Sequence, residues 1–399
     1  MKLRHSAIDD PVATWRAARA RTRRLFDIIT PDAYYDRPIA LRNPVVFYEG
    51  HLPAFAVNTL VKRTFGGRGI DEHLETLFAR GIDPADEASA KTPTDVWPSR
   101  DEVQAYGREA ERLVEETLRS TPVVEATFTI LEHELMHQET LLYMLHELPY
   151  GKKRRPVAQS SSRQGAHPVD RSTRRLGDSV TIPASRAHLG HSRECFGWDN
   201  EFEAHEVDVP EFTIDAHNVT NDSYLEYMEA TGASAPHFWA REDGQWFWRG
   251  MFEPIALPLD GPVYVTHDEA TAYARWKGGR LPSEAELDRA TYGTTPPAEG
   301  NFDFQHWDPL PVGSYAPNAW GMYDLIGNGW EWTSTVFAPF DGFRPMPSYP
   351  EYSADFFDGA HYVMKGASPS TPRELVRRSF RNWFRPSYPF VYATFRCAR

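Results

Sequence analysis

Residues 123–148 read VVEATFTILEHELMHQETLLYMLHEL, a stretch without glycine or proline that directly follows Pro122. Its large apolar residues recur at intervals of three, four and seven, the spacing that places side chains on neighbouring faces of an α-helix. They include Phe128, Leu131, Leu135, Leu142 and Leu145. The stretch therefore predicts one long helix, around which the rest of the first domain is predicted.

Three more helices are predicted in the first domain. The aspartate–proline pair at residues 10–11 is typical of a helix start, and apolar residues then recur to about residue 28. Residues 99–102, Ser-Arg-Asp-Glu, form a capping-box pattern ahead of a second amphipathic stretch. A further helix is expected to begin near His51. Residues 1–150 are therefore predicted to form an up-and-down bundle of about four helices.

Residues 151–178 differ in composition from the segment before them. They carry basic clusters at 152–155 and 174–175, separated by a serine run, and almost no large apolar side chain. This composition is typical of a linker or mobile loop, and the alternative is a patch that binds an anion. The two domains are therefore predicted at residues 1–150 and 179–399.

The second domain has short apolar pieces that are interrupted by glycine, proline, asparagine and aspartate. One clear helical pattern remains, at residues 267–276, and it ends before Gly278 and Gly279. No repeat of about 20–50 residues is present, which excludes a repeat array. The fold class is therefore predicted to be α+β, a helical bundle followed by an irregular α+β domain.

The composition excludes several classes of protein. The 399 residues include 43 Lys and Arg against 56 Asp and Glu, a net charge of −13, so no basic face for nucleic acid is expected. No apolar run of about 18 residues could span a membrane. Acidic residues precede any apolar segment at the N-terminus, so no secretory signal is predicted and a cytoplasmic location is expected. The two cysteines, Cys195 and Cys397, exclude a disulfide framework and a cysteine-rich metal site.

A histidine pair in the long helix is a candidate metal site. His133 and His137 are four residues apart, so their Cβ atoms are expected about 5–6 Å apart on one helix face. Two ordinary surface histidines would have the same spacing. Glu134 completes the pattern HExxH, which resembles the zincin motif. Glu139 lies about 200° around the helix from His137, so we exclude it as a ligand of the same ion.

A third ligand is expected from another helix. His51 lies in the aromatic segment 47–55 and is the candidate, although a hydrogen-bonded core histidine is the alternative. Three neutral imidazoles would leave coordination positions open on a divalent first-row metal. Such a site suits Fe(II) with O₂ as well as Zn(II) with water.

These motifs resemble a known two-domain family. Gly50-His51 with His133-x-x-x-His137-x-Glu139 resembles the DinB-like helical domain of the EgtB family, the non-haem iron sulfoxide synthases of ergothioneine biosynthesis. The second domain resembles the formylglycine-generating-enzyme fold, which is C-type-lectin-like and follows the helical domain in that family. The landmarks keep their order along the chain: Thr181-Ile182-Pro183, Trp198-Asp199-Asn200-Glu201, Val219-Thr220-Asn221, Arg280 to Glu286, Gly321 to Trp332, Lys365-Gly366-Ala367-Ser368 and Thr394-Phe395-Arg396-Cys397.

The resemblance implies a cofactor and a catalytic residue. It makes His51, His133 and His137 the ligands of Fe(II), with O₂ as co-substrate. The family's catalytic tyrosine lies three residues before a Tyr-Ser pair, and this position is Tyr349 here.

The resemblance also implies a substrate, hercynine, the Nα-trimethylated betaine of histidine. An Asn-Trp pair contacts hercynine in the family, and Asn382 and Trp383 match it. Because aromatic faces hold quaternary cations, we expect Trp383, and Phe384 beside it, to face the trimethylammonium group. Many members have a glutamine immediately before the second helix histidine; Met136 replaces it here and alters the polar contact to the imidazole.

Two departures from the family pattern concern the second substrate. Members that use γ-glutamylcysteine carry an arginine pair in the loop before the capped helix and an aspartate after the Asn-Trp pair. Here residues 88–97 contain no arginine, and Phe384 follows Trp383. A zwitterionic donor would lose its charge-assisted hydrogen bonds, so a neutral donor fits better. The predicted function is that of the family's selenoneine synthases, which join a selenosugar to hercynine; the alternative is an ergothioneine-type enzyme that uses a thiol, cysteine or γ-glutamylcysteine.

Two other classes of function are weighed against this one. A formylglycine-generating oxidase needs a cysteine pair after Lys365-Gly366-Ala367-Ser368, and residues 369–378 contain none. A non-catalytic binding module is compatible with both folds but would make the three histidines coincidental.

Overall fold

A computed structural model of the protein describes residues 3–79, 97–156 and 178–399, so most of the predicted linker and of the loop at residues 88–97 lies outside the described residues. The chain divides into two compact units. The first comprises Met1–Gln159, Glu194–Phe196 and Met346–Pro350, and the second comprises Ser160–Arg193, Gly197–Pro345 and Glu351–Arg399. Within the described ranges, no helix is long and apolar enough to cross a lipid bilayer.

The first unit is helical. Its helices are α1 (Pro11–Phe26), α2 (Val45–Ala56), α3 (Glu72–Leu77), α4 (Arg100–Ser120) and α5 (Glu125–His146), and a π-helical segment, Val57–Thr64, directly follows α2. Asp10 caps α1, and Ser99 with Glu102 forms the predicted capping box of α4. Helix α1 packs on α4 and α5, and α2 packs on the same two helices. The predicted helical bundle is therefore confirmed.

Helix α2 differs from its prediction. It begins at Val45, so the expected start near His51 is wrong. Every residue of α2 is buried, so the helix has no solvent-exposed polar face. Without alternating polar and apolar faces, its sequence shows no hydrophobic periodicity from which the helix bounds could be predicted. Pro53 lies inside the helix, where its ring removes a backbone donor. The helix nevertheless continues directly into the π-helical segment.

The described start of the predicted linker packs on the helical unit. The Lys153 side chain is buried and its Nζ donates to the carbonyl of His146 at 2.7 Å. The Arg154 amide donates to the carbonyl of Ile28 at 2.6 Å. These contacts hold the first basic residues of the segment against the ends of α1 and α5.

The second unit mixes short strands and short helices. Its strands are β1 (Ser179–Ile182), β2 (Ser185–Leu189), β3 (His205–Val209), β4 (Phe212–Asp215), β5 (Trp239–Glu242), β6 (Gln245–Arg249), β7 (Pro254–Ala256), β8 (Gly329–Val336), β9 (Tyr362–Ala367), β10 (Asn382–Phe384) and β11 (Ala393–Thr394). Strands β1 and β4 pair antiparallel, as do β2 and β3, and β5-β6-β7 form an antiparallel meander. A four-stranded sheet has the order β10-β9-β8-β11, with β11 parallel to β8. The α+β class is confirmed.

The prediction of a single clear helix in the second domain is wrong. Helix α7 (His267–Trp276) has its predicted bounds, but α6 (Asn221–Thr231), α8 (Glu284–Tyr292) and α9 (Glu351–Ala354) are also present. Ser283 and Glu286 form a capping box at the start of α8, a pattern that is visible in the sequence. Helices α6 and α8 have 11 and 9 residues, too few for a long apolar stripe to develop.

A buried arginine fixes the chain just before β10. Arg381 is 3% exposed, and its Nε donates to Glu284 Oε1, on α8, at 3.0 Å. Its Nη1 donates to two backbone carbonyls, including that of Ala338 at 3.0 Å. Separation of Arg381 from Glu284 would leave an uncompensated buried charge, which is costly. The ion pair therefore holds the residue just before β10 in place against α8.

Candidate metal centre and substrate site

The structure brings the three predicted histidines together. One nitrogen from each ring of His51, His133 and His137 lies within 4.8 Å of the other two. His51 projects from α2, and the other two project from α5. His51 and His133 are 4% and 3% exposed, and His137 is half-buried. Among the described residues no carboxylate or cysteine joins this group, so its potential ligands are three imidazoles.

The orientation of His51 is set by Phe78. The Nδ1 of His51 lies 2.9 Å from the carbonyl oxygen of Phe78. Because a carbonyl oxygen only accepts, Nδ1 carries the proton and Nε2 is left as the potential ligand. Gly50 permits this arrangement, since a Cβ atom at that position would overlap the ring of Phe78. The Gly-His pair of the sequence motif thus has a packing reason.

Burial sets the charge state of the three rings. It lowers the pKa of His51 to about 4. The pKa values of His133 and His137 lie well below the ordinary range, first because of burial and then because neighbouring imidazoles, and for His137 also Arg42, disfavour a positive charge. All three rings are therefore neutral near pH 7, the form in which histidine binds a metal.

The free nitrogens of the group fit a metal ion. His133 Nε2 and His137 Nδ1 are buried, and neither has a hydrogen-bond partner among the described residues. An unsatisfied buried polar atom costs about 1–3 kcal/mol, which metal coordination would offset. Bonds of about 2.1 Å keep two ligand atoms at most about 4.2 Å apart, so small side-chain rotations complete the set. The donor atoms themselves suit either Fe(II) or Zn(II).

Gly50→Ala is expected to weaken Fe(II) binding by about 10-fold or more, because the new methyl group displaces Phe78 and its carbonyl, the hydrogen-bond acceptor of His51. Anaerobic titration with Fe(II) measures the change. Gly107→Ala on α4 is the matched control, since a Cβ atom there meets nothing closer than 3.9 Å. Equal Fe(II) affinities in the two variants would contradict the role given to Phe78.

Glu134 does not belong to the metal group. Its Oε1 accepts a hydrogen bond from Arg19 Nη1 at 2.8 Å and another from the hydroxyl of Thr22, both on α1. The resemblance to the zincin motif is therefore misleading, because the glutamate is held in a buried ion pair and is not available as a general base. Glu139 is buried and also lies outside the group, as its angular position on α5 predicts.

Aromatic rings hold the imidazole planes. Phe55 stacks on His133 with ring centroids 3.5 Å apart, and Phe47 stacks on His51 at 4.9 Å. The Tyr48 ring lies 5.8 Å from that of His137. Sequence reasoning missed Phe47 and Phe55, although each is four residues from His51, the spacing of neighbours on a helix face. Phe47 precedes the predicted helix start near His51 and so falls outside that helix, whereas the spacing of Phe55 from His51 is visible in the sequence.

Tyr349 lies beside the histidines. Its ring centroid is 6.1 Å from that of His133 and 5.2 Å from that of Phe55. The segment that carries it, Met346–Pro350, belongs to the first unit although it is distant in sequence from the helices. Met136, the predicted substrate contact, is half-buried on α5.

The residues predicted to bind hercynine lie on β10, in the second unit. Trp383 is half-buried, and its ring stacks on Phe337 with centroids 4.1 Å apart and meets Tyr352 edge-on at 5.3 Å. The Oδ1 of Asn382 accepts the backbone N–H of Trp383 at 2.9 Å, which leaves its side-chain N–H groups to donate. An aromatic surface and an amide donor are therefore adjacent on this strand.

Phe384 does not extend that aromatic surface. Successive side chains of a strand point to opposite faces, so Phe384 is turned away from Trp383. Its ring stacks on Tyr388 at 4.8 Å. That Trp383 faces the trimethylammonium group, with Phe384 as a second contact, stays a prediction; the alternation on β10 favours Trp383, because the two side chains lie on opposite faces of the strand.

Comparisons with known proteins support both domains. The family model described as "Sulfatase-modifying factor enzyme 1-like domain" matches residues 165–399, and the DinB superfamily model matches residues 14–148. A Mycolicibacterium smegmatis protein named "Hercynine oxygenase" is 32% identical over 314 residues, which cover 67% of this chain and 70% of that protein. The chain belongs to the EgtB family.

Two fungal relatives of this EgtB-family chain are longer than it is. The "Ergothioneine biosynthesis protein 1" of Neurospora crassa is 27% identical, over 98% of this chain and 57% of that protein. The protein of the same name from Schizosaccharomyces pombe is 29% identical, over 92% of this chain and 53% of that protein. The chain thus spans little more than half the length of these two relatives.

The cysteine-dependent chemistry of formylglycine-generating enzymes is not supported in this EgtB-family chain. At the start of the relevant segment, Ser368, Ser370 and Thr371 are buried and hydrogen-bonded to one another. The free cysteines, Cys195 and Cys397, lie elsewhere in the sequence. The similarity of the second domain to formylglycine-generating enzymes is therefore a similarity of fold, and their cysteine-dependent reaction is not inferred for this chain.

Proposed function

We propose that this protein is an Fe(II)- and O₂-dependent oxidoreductase that joins a thiol to C2 of the hercynine imidazole. The reaction replaces the C2–H and S–H bonds by a C2–S bond, and O₂ supplies one oxygen to the resulting sulfoxide and one to water. The convergence of His51, His133 and His137 in a chain of the EgtB family carries the proposal. The names of its relatives, "Hercynine oxygenase" and "Ergothioneine biosynthesis protein 1", support the substrate and sulfur as the element transferred.

The three histidines are the proposed ligands of the iron. Held by them, Fe(II) would supply the redox chemistry for the oxidation of the C2–H and S–H bonds by O₂. Three neutral imidazoles contribute no negative charge, so the site would favour a donor that binds as an anion. The rings of Phe47 and Phe55 stack on His51 and His133 and restrict the orientation of their imidazole planes.

Tyr349 is the proposed proton-donating group. Its position beside His133 supports this role, because a phenol there can hold a proton close to the reacting atoms. The ring also packs on Phe55, which restricts its orientation.

Trp383 and Asn382 are the proposed hercynine contacts. A trimethylammonium group has no N–H to donate and is attracted to the face of an aromatic ring, which Trp383 provides. The Asn382 amide, whose oxygen already accepts a backbone N–H, donates to the carboxylate or the imidazole. Met136 places a thioether where many family members have an amide, so it contributes packing rather than a strong hydrogen bond.

A second candidate concerns the donor: a neutral selenol such as a selenosugar in place of an amino-acid thiol. Phe384 favours it, since this ring stacks on Tyr388 at the position where members that use γ-glutamylcysteine carry an aspartate. An apolar ring cannot hold the donor's ammonium group by a hydrogen bond. The arginine-free loop at residues 88–97 agrees with it.

A competition assay tests the function and separates the two donors. Fe(II)-loaded protein is given O₂ and hercynine with cysteine, γ-glutamylcysteine, thioglucose and selenoglucose, and products are identified by mass. An adduct at imidazole C2 is expected with hercynine and much less with histidine, which lacks the quaternary cation. Preference for γ-glutamylcysteine or cysteine supports the thiol reaction, and preference for selenoglucose supports the second candidate. Absence of every adduct from iron-loaded protein would refute the proposal.

A further inference from the structure

The short segment that carries Tyr349 is hydrogen-bonded to the helical elements chiefly through Ser348, and the Thr129 hydroxyl also lies 3.6 Å from the sulfur of Met346. This serine is 6% exposed. Its backbone N–H and its hydroxyl both donate to Glu125 Oε1, at 3.1 and 2.9 Å. Its carbonyl accepts from Arg63 Nη1 at 3.2 Å, and its hydroxyl lies 2.8 Å from that of Thr129. Every polar group of Ser348 is therefore bonded to a helical element.

The partners of Ser348 come from the elements that carry the histidines. Glu125 is the first residue of α5, and Thr129 and His133 follow it at intervals of four, so the three side chains lie along one stripe of the helix. His137 continues the same stripe. Arg63 lies in the π-helical segment that directly extends α2, the helix of His51. The anchor and the metal group thus share their supporting helices.

The backbone at Ser348 determines where the Tyr349 ring lies. The Tyr349 amide donates to the carbonyl of Met346 at 3.1 Å, which closes a tight turn around Ser348. The Tyr349 side chain extends from this turn, and its ring centroid lies 6.1 Å from that of His133. Loss of the Glu125 bonds frees one side of the turn and lets the ring move relative to the histidine.

We infer that Glu125 is a positioning residue that acts through Ser348 to hold Tyr349 beside the histidine group. The inference rests on the proposed function, in which Tyr349 takes part in the reaction. Among the described residues, the hydrogen bonds of the Glu125 carboxylate come from Ser348 and none from a histidine of the metal group, so Glu125 is proposed to act only through Ser348. The Oε1 atom of Glu125 accepts hydrogen bonds from both the backbone N–H and the hydroxyl of Ser348, so this one oxygen constrains both the backbone and the side chain of Ser348.

The test is a double-mutant cycle with Glu125→Ala and Tyr349→Phe. Glu125→Ala is expected to lower kcat by about 10- to 100-fold, the effect of a misplaced reacting group, with little change in the KM for hercynine. In the Tyr349→Phe background the same change is expected to have no further effect on kcat. Glu125→Gln keeps a carbonyl acceptor and is expected to restore most of the rate.

A second measurement on metal-free protein is independent of activity. Amide hydrogen exchange in the peptide 346–350 is expected to be faster in Glu125→Ala than in the wild type and nearly normal in Glu125→Gln. Asp101→Ala is the matched control, since Asp101 is an exposed acidic residue in the first turn of α4 without a contact to this segment among the described residues. It should change neither exchange nor turnover.

Each outcome decides between the claims. Equal rate losses from Glu125→Ala in both backgrounds, or unchanged exchange at residues 346–350, would overturn the positioning role. A wild-type rate in Tyr349→Phe would instead refute the catalytic role of Tyr349, while exchange would still decide whether Glu125 anchors the segment. If Glu125→Ala does not fold, Ser348→Ala removes the hydroxyl bond from the other side and must speed exchange for the inference to stand.

Discussion

His133→Ala is expected to abolish stable Fe(II) binding and, with it, product formation. Only two of the three imidazoles remain. Removal of a hydrogen-bonding partner of a metal ligand lowers metal affinity by up to about 100-fold, and removal of the ligand itself should lower the Fe(II) affinity by more. No substitute ligand is expected, because among the described residues no carboxylate or cysteine lies in the group to replace the lost nitrogen. Anaerobic metal titration and mass analysis of the products measure the two losses separately.

The control for His133→Ala is His73→Ala. His73 is exposed on α3 and is outside the group of three, so its loss should alter neither iron content nor turnover. Because His133 stacks on Phe55, thermal unfolding of both metal-free variants should be recorded to separate metal loss from a packing defect. Unchanged iron content and unchanged turnover in folded His133→Ala would exclude the three histidines as the metal centre.

Tyr349→Phe is expected to lower the rate of product formation by about 10²- to 10⁴-fold, the range for loss of a positioned proton donor. Iron and hercynine should bind as in the wild type, since the ring that packs on Phe55 is kept and only the hydroxyl is removed. Single-turnover measurements with iron-loaded protein isolate this step from product release.

Tyr35→Phe is the comparison for this change. Tyr35 is 42% exposed and lies outside the histidine group, so removal of its hydroxyl should leave the rate near that of the wild type. A wild-type rate in Tyr349→Phe would remove Tyr349 from the mechanism. Tyr352 would then be the next to test, because it contacts the ring of Trp383.

Local sequence patterns predicted several helices well. The capping residues of α1 and α4 lie where the sequence places them, and α5 and α7 follow their predicted stretches closely. These signals are local, since a cap satisfies amide groups two or three residues away and periodicity compares residues within a few turns. Helix α2 was misplaced because it is buried on all sides and has no polar face to define its limits.

The pairing of functional groups was only partly predictable. The four-residue spacing of His133 and His137 is a property of any helix that contains them, so the sequence sufficed for this pair. The sequence suggested Glu134 as a third functional group in the same motif, but its carboxylate binds Arg19 on α1. Whether a polar side chain is free or already paired depends on which helix packs against it, and short-range patterns do not contain that information.

The sequence by itself determined the helix face that presents His133 and His137, the caps of the main helices and membership of a two-domain family. The tertiary structure decided that α2 packs on α5 and brings His51 to this pair, with its ring oriented by the hydrogen bond to Phe78. It also decided that Tyr349 lies beside His133 and that Trp383 and Phe384 face opposite ways. The physical reason is the range of the interactions. Caps and helix faces depend on residues within a turn or two, whereas Ser348 and Glu125 are 223 positions apart and meet only when the helices have packed.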